Sequence, residues 1–413
     1  MYDIVKDLYY KRRDLVSDGY DESLDYISKI LPLKIHKIKS GTPCWTWIIP
    51  EKWTVNEAYV EADGKKLIDV KDHPLHVVSY SKSINKYISK QELLNHIYTN
   101  EDRPNAIPFE FKYYEQDWGF CVQHEKLKEF IYDQYKVVIK TNFEEGEIKI
   151  GELVLSGESK DTIVLVAHLC HPGMANDDLS GVAVLTNIAN SLAKRKQRHY
   201  TYRILFLPET IGSIAYLSQN ENLIPDMKYG IFFEMLGNDN VLALQLSRQG
   251  NTIIDMAARN VLKNSVSRYN EGSFREVVSN DEMVFNGPGV DIPMISISRW
   301  PYPEYHTSDD NMDIIKSEKL EESRDIIIKI IDSLEKNFIP KRKFKGPPFL
   351  SKYGLWVDWR ENPKLNLMME KLFLEFEGDK SLIEIAEYLD LDFRDVYNYV
   401  NKFVDADLVE IHY

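Results

Sequence analysis

The sequence predicts an α/β fold: a mostly parallel sheet flanked by helices on both faces, with a small β-rich insertion and a C-terminal winged-helix domain. Three observations carry this. From residue 162 on, short apolar runs such as "TIVLVAHL", "YRILFLP", "YGIFFEML" and "PMISISR" alternate with segments of helical period; that alternation is the signature of strands joined by crossover helices. Residues 46–106 break the rhythm. After the basic, Pro/Gly-bearing "IPKRKFKGPPF", a separate block of helical period follows.

Length and composition set the frame. A chain of 413 residues exceeds one ordinary domain, so two or three are expected. An apolar content of 44% with 28% charged residues describes a globular chain with a full core. The net charge of −14 argues against sequence-independent affinity for nucleic acid or an anionic membrane. No stretch is long and apolar enough for a transmembrane helix. The charged start "MYDIVKDLYYKRRDLVSDGY" lacks the apolar centre of a signal peptide. Cys44, Cys121 and Cys170 form a sparse set with no metal-finger spacing, which points to a reducing compartment and a cytoplasmic location.

The elements follow in order. "YDIVKDLYYKRRDLV" and "YDESLDYISKIL" carry apolar residues at helical spacing and predict two helices. "AYVEADGKKLIDV" is two alternating runs about Asp63-Gly64, a hairpin signal. "LHVVSYS" adds a strand, so residues 46–106 are expected to form a small β-rich domain. "YKVVIKTNF" and "EIKIGELVLSG" are read as the start of the α/β rhythm, which residues 1–45 and 107–340 share. "SEKLEESRDIIIKIIDSLEKNF" closes that region as a long amphipathic helix. In residues 346–413, "NLMMEKLFLEFEG" predicts a helix, and "SLIEIAEYLDLDFRDVYNYVNKFVDADLVEIHY" predicts helix, turn, helix and strand, the order of a winged helix-turn-helix. That block holds seven Lys or Arg against fourteen Asp or Glu. Duplex binding needs phosphate neutralisation, so the expected partner is protein, with no nucleic acid and no membrane, and a homo-oligomer is expected.

In open α/β sheets the site lies at the carboxyl ends of the strands. Reading those ends gives His168, with Asp177 and Asp178 in the loop after it, then Glu209, Glu234, and His306 in "YPEYHTSDD". Mixed imidazole and carboxylate ligands suit zinc or a similar divalent ion. Each residue has a plainer reading. The two aspartates could cap the helix beginning near Ser180, His168 could be a satisfied core histidine, and Glu209 and Glu234 could serve structural ion pairs. His306 could be a surface residue. His171 could replace His168 as ligand, although His171-Pro172 reads as a turn. Arg299, just before the His306 loop, could bind a substrate carboxylate in bidentate fashion or form a salt bridge. "YYEQDWGF", residues 113–120, could line a pocket or end a core strand.

These motifs resemble those of the zinc-dependent aminopeptidases of the co-catalytic exopeptidase fold, a family that includes glutamate carboxypeptidases and single-zinc glutaminyl cyclases. "HLC" stands for the His-x-Asp motif, "NDDLSG" for Asp-Asp-x-Ser-Gly, "PETIGS" for the Glu-Glu motif, "FFEMLG" for the strand-end acid and "EYHTSDD" for the late His-Thr. The likeness covers residues 1–45 and 107–340, and is closest to a bacterial subgroup with a small inserted domain and a C-terminal winged helix. It implies His168, Asp177, Glu234 and His306 as metal ligands. It further implies zinc, one ion favoured over two, and a hydrolase cleaving an amide or peptide bond in a small substrate. Two departures matter. Cys170 stands where the family has an Asp that orients the first His. The glutamate pair is reduced to Pro208-Glu209, so Glu209 must be either second-metal ligand or general base; general base is the favoured role. These departures also motivate the alternative of a catalytically retired fold serving as a binding or regulatory module.

Overall fold

A computed structural model describes residues 1–413. Its centre is an eight-stranded sheet whose neighbours run Lys34–Lys39, Glu147–Leu155, Thr201–Leu207, Thr162–His168, Met227–Phe233, Met294–Ser298, Ala243–Gln245 and Asn270–Gly272. The sheet is mixed rather than mostly parallel. The four strands that deliver the site residues are parallel to one another, while Lys34–Lys39 and Glu147–Leu155 pair antiparallel at one side, and Ala243–Gln245 meets Met294–Ser298 antiparallel at the other. A parallel return needs a crossover of about a dozen residues or more. Residues 156–161 contain no helix, so the chain leaves Glu147–Leu155 and re-enters the sheet in the opposite sense.

The central strand Thr162–His168 is buried along its whole length, as expected for a Val/Ile-rich strand flanked on both sides and covered by helices. Gly181–Ala193 packs on the sheet, and the nineteen-residue helix Ser317–Glu335 packs against it and against Ile253–Ser265. Ile326, Ile327, Ile330 and Ile331 form the buried stripe of the longer helix.

Residues 52–144 supply a second sheet, ordered Lys65–Asp69, Lys52–Ala62, Gln134–Glu144, Ile84–Ser89, and antiparallel throughout. The turn between its first two strands has φ of 51° at Asp63 and 71° at Gly64, the left-handed pair that a tight two-residue hairpin demands. The strand of "YKVVIKTNF", read in sequence as opening the α/β rhythm, instead sits in the middle of this small sheet. Local alternation reports a half-buried strand but carries no information on which sheet will accept it.

The C-terminal residues form three helices, Pro363–Leu374, Leu382–Tyr388 and Phe393–Asp405. The strand Val409–His412 then pairs antiparallel with Ile339–Arg342. Ser381 and Glu384 make a reciprocal capping box, and Asp392 caps the last helix. This unit shares one continuous core with the rest of the chain, from Ile4 to Val409. No helix is long and apolar enough to cross a membrane.

Candidate metal centre

Four parallel strands end on one side of the sheet, and the site is built at and just beyond their carboxyl ends. His168 is the last residue of its strand. Glu209 comes after Thr201–Leu207, Glu234 after Met227–Phe233, and the His306 loop after Met294–Ser298.

The loop after His168 is held by buried side chains. Asp310 accepts the backbone N–H groups of Ala175, Asn176 and Asp177 at 3.1, 2.6 and 3.1 Å, and the Tyr302 hydroxyl at 2.7 Å. Arg13 donates to the carbonyls of Leu169, His171 and Met174 at 3.1, 2.6 and 2.9 Å. His171 has φ of 96°, a conformation costing on the order of 1–3 kcal/mol for a non-glycine residue; the Arg13 contacts hold it. The two aspartates take separate jobs. Asp178 accepts the N–H groups of Gly181 at 3.1 Å and Met235 at 2.9 Å, which ties the helix start to the Glu234 loop and leaves Asp177 free for the cleft.

Asp177 is the hinge of the cluster. Its Oδ1 lies 3.1 Å from His168 Nε2 and its Oδ2 lies 3.2 Å from His306 Nε2. Burial alone would raise its carboxyl, but the imidazoles of His171, His168 and His306 overcome that and hold it well below the usual carboxylate range. His171 Nδ1 is 3.3 Å from His168 Nδ1, and His171 Nε2 faces Glu209 Oε2 at 3.3 Å. Burial pushes the His171 imidazolium down to about 3, so its ring is neutral. The Glu209 carboxyl is raised by burial, with Asp177 adding to it. Cys170 Sγ accepts the Glu209 N–H at 3.1 Å and sits 3.9 Å from Nδ1 of both His168 and His171. The ring of Phe109, from the segment between the strands Ile84–Ser89 and Gln134–Glu144 of the small sheet, packs edge-on against His171 and His306 at 5.1 and 5.3 Å.

The donor set fits a divalent ion. His168 Nε2, Asp177 Oδ2 and His306 Nε2 are buried atoms without a hydrogen-bond partner, although buried polar atoms normally have one. Two such imidazole nitrogens facing one carboxylate, with its own Oδ2 unpartnered, are explained by a shared cation. Two close ligand groups are present: His171 with Asp177 and His306, and His168 with Cys170 and His171.

The other expected site residues fall differently. Glu234 is buried at the strand end, where Asn280 Nδ2 donates to Oε1 at 2.5 Å and Ser296 Oγ to Oε2 at 3.1 Å; it belongs to neither close group. Arg299 is not at the site. Its guanidinium is buried beneath the sheet ends, donating to the carbonyls of Leu236, Asn240 and Lys319 and to Glu322. A strand-end arginine facing a chain reversal meets several carbonyls at once, and these have saturated it. Sequence reasoning missed Arg13, Asp310 and Asp281; the last accepts Thr210 N–H at 2.9 Å and the Ser213 hydroxyl, fixing the turn after Glu209. Asp310 stands in the "HTSDD" stretch beside Asp309, and nothing local separates the buried acid from its half-buried neighbour. Arg13 carries no local signal either.

Residues 2–337 match the model of a family described as a domain of unknown function (DUF4910). A Clostridium acetobutylicum protein, provisionally named a polysaccharide biosynthesis protein with an aminopeptidase-like domain, is 33% identical over 422 residues, spanning 100% of this chain and 96% of its own. A crystal structure from Clostridium acetobutylicum, provisionally described as a peptidase, superposes with a TM-score of 0.90 at 32% identity, covering 99% of this chain and 95% of that one. BSAP, a zinc aminopeptidase from Bacillus subtilis, gives a TM-score of 0.59 at 13% identity over 81% of this chain and 94% of its own. A peptidase M28 precursor from Shewanella amazonensis gives 0.57 at 15% identity over 84% and 94%. These last two likenesses show a shared fold.

Proposed function

Since the chain belongs to the DUF4910 family, and its fold is that of zinc aminopeptidases, we propose that it is a metal-dependent hydrolase of the aminopeptidase type. It cleaves an amide or peptide bond in a small substrate. The observation that carries this is the Asp177 carboxylate with one imidazole at each oxygen and Glu209 alongside. His168, Asp177 and His306 hold the ion, zinc in the first instance. A second ion, with Glu234 among its ligands, is the two-metal variant that the resemblance allows. A bound zinc supplies Lewis acidity toward the scissile carbonyl and lowers the pKa of a water to about 7.

The chain's own residues do the rest. His168 Nδ1–H donates to His171 Nδ1, and His171 Nε2–H points at Glu209 Oε2, so one tautomer satisfies both contacts and leaves the His168 Nε2 lone pair facing the cleft. His171 thereby supplies the orientation that an Asp at the Cys170 position would give. Glu209 takes a proton from the attacking water at its free carboxylate oxygen and passes it to the leaving nitrogen, a role typically worth about 10²–10⁴ in rate. Phe109 excludes bulk water from the imidazoles. The provisional name of the Clostridium acetobutylicum relative supports an amide on a biosynthetic intermediate as well as a peptide.

Zinc content of chelator-free protein, together with a screen of aminoacyl-anilides against the Glu209→Gln variant, tests the reading. About one equivalent of zinc, with turnover lost in the variant, supports it. Metal binding without turnover of any amide favours the retired-fold alternative.

We also propose that residues 346–413 form a winged helix-turn-helix-like module that joins subunits. Trp356 and Trp359 are 60% and 62% exposed on it, and the excess of acidic over basic residues disfavours a duplex. Light scattering on the full chain and on W356D/W359D should show a loss of mass in the variant; an unchanged mass removes the role.

A further inference from the structure

A cavity of about 360 Å³ opens directly against Glu209 and Thr210, and its aromatic walls are Trp47, Phe111, Tyr113 and Tyr114. Phe111 and Tyr113 are stacked at 4.5 Å, and Trp47 meets Tyr114 edge-on at 6.1 Å. Trp47, Phe111 and Tyr114 still leave 39%, 48% and 53% of their surface open. A globular chain that leaves three aromatic rings uncovered beside a reacting carboxylate has a binding use for them.

Several polar groups of this cavity are already engaged. Lys112 Nζ is paired with Glu115 at 2.9 Å and Asp117 at 3.0 Å. The Tyr114 hydroxyl donates to the Ile48 carbonyl at 2.8 Å, and the Thr210 N–H is spent on Asp281. A sugar ring would lay several hydroxyls against walls that are mostly aromatic faces, and unpaired buried polar groups are costly. An aromatic ring needs only faces and edges.

The side of the substrate is set by proton transfer. On the reading of Glu209 as general base, on which this inference rests, the leaving nitrogen must come within hydrogen-bond reach of the Glu209 carboxylate. The cavity walled by that carboxylate therefore receives the group attached to the leaving nitrogen. We infer that this cavity is a leaving-group subsite selecting amides whose amine portion carries an aromatic ring. Cleavage breaks the C–N bond, water supplies the hydroxyl to the acyl carbon, and the amine departs with the proton carried by Glu209.

The amine product is itself the probe. Binding of 2-phenylethylamine, ethylamine and D-glucosamine to zinc-loaded full-length protein is measured by calorimetry, beside Trp47→Ala and Tyr114→Ala, whose side chains are exposed enough to leave folding intact. Phenylethylamine should bind about tenfold or more tighter than ethylamine, as expected for burying one ring. Both variants should erase that margin while zinc content stays the same. Equal binding of the two alkylamines, or tighter binding of glucosamine, overturns the subsite. The readout is independent of turnover: aromatic-selective binding in a protein that hydrolyses no amide keeps the subsite and removes the reaction. Turnover indifferent to the amine portion does the reverse.

Discussion

Nδ1 of His168 and Nδ1 of His171 lie 3.3 Å apart, so only one of the two can carry the proton between them. Because His171 Nε2 faces the Glu209 carboxylate at 3.3 Å, the favoured arrangement protonates His168 at Nδ1 and His171 at Nε2. His171→Ala should then weaken zinc affinity by about 10–100-fold, the usual effect of losing a partner behind a ligand, and lower kcat with stoichiometry retained at saturating zinc. His306→Ala should lose the ion itself. Competition against a chromophoric chelator separates the two. Loss of stoichiometry in His171→Ala would make His171 a ligand instead.

The placement of chemistry at strand ends was legible because buried strands are continuous apolar runs, and a polar residue at such an end stands out. His168, Glu209 and Glu234 end or immediately succeed three of these runs, and His306 lies in the loop after a fourth. The rest was not legible for identifiable reasons. Whether Arg299 faces a substrate or a ring of carbonyls depends on a chain reversal at 236–240 that is distant in sequence. The strand Gln134–Glu144 has the same alternation in either sheet. The sheet's antiparallel strands were hidden because direction is set by connections and not by composition. His171 was ambiguous because Pro172 marks a turn, and the turn is there with the imidazole aimed inward.

Asp310 should matter more than any exposed acid in the cleft. Asp310→Ala strips an acceptor from three backbone N–H groups and the Tyr302 hydroxyl. Leaving buried donors unpaired costs about 1–3 kcal/mol each before relaxation, so a loss of about 3–5 kcal/mol is expected for the set. Asp310→Asn, which retains one acceptor oxygen, should lose less. Urea unfolding of zinc-free protein measures the effect. A loss under about 1 kcal/mol for Asp310→Ala would mean that the loop is held by Arg13 alone.

A pH test is possible away from the metal ligands. Glu152 is buried among His36 at 2.7 Å, the Tyr216 hydroxyl at 2.6 Å and the Arg203 guanidinium. Burial alone would raise its carboxyl, but the bonds from His36 and Tyr216 and the charge of Arg203 prevail and bring it down to about 2. Its folded value lies below the unfolded one, so the unfolded chain binds the proton first. The stabilisation is full above about pH 5 and is lost as pH falls from about 4.5 toward 2. Glu152→Gln should therefore cost on the order of 2–3 kcal/mol at pH 7, and its deficit against the parent should shrink toward pH 3. A deficit that is constant across that range would assign the cost to packing.

One of the ties between the C-terminal unit and the α/β core is a side chain used as a backbone substitute. Asn260, buried on the helix Ile253–Ser265, donates through Nδ2 to the Leu391 carbonyl at 2.7 Å and accepts the Phe393 N–H through Oδ1 at 2.9 Å. Both groups lie in the turn between the last two helices, where no intrahelical partner serves them. Asn260→Ala leaves both buried and unpaired, at about 2–4 kcal/mol. Asn260→Asp retains the acceptor and loses the donor, so it should fall between. The core beneath does not depend on this contact, and the cost should appear as local opening. Hydrogen exchange should rise across residues 380–405 in Asn260→Ala while the amides of Thr162–His168 and the zinc stoichiometry stay at parent values. The strand pair Ile339–Arg342 with Val409–His412 would still tether the unit, which limits the opening to the two helices. Exchange that rises uniformly over the chain would show instead that the C-terminal helices and the sheet unfold as one cooperative body.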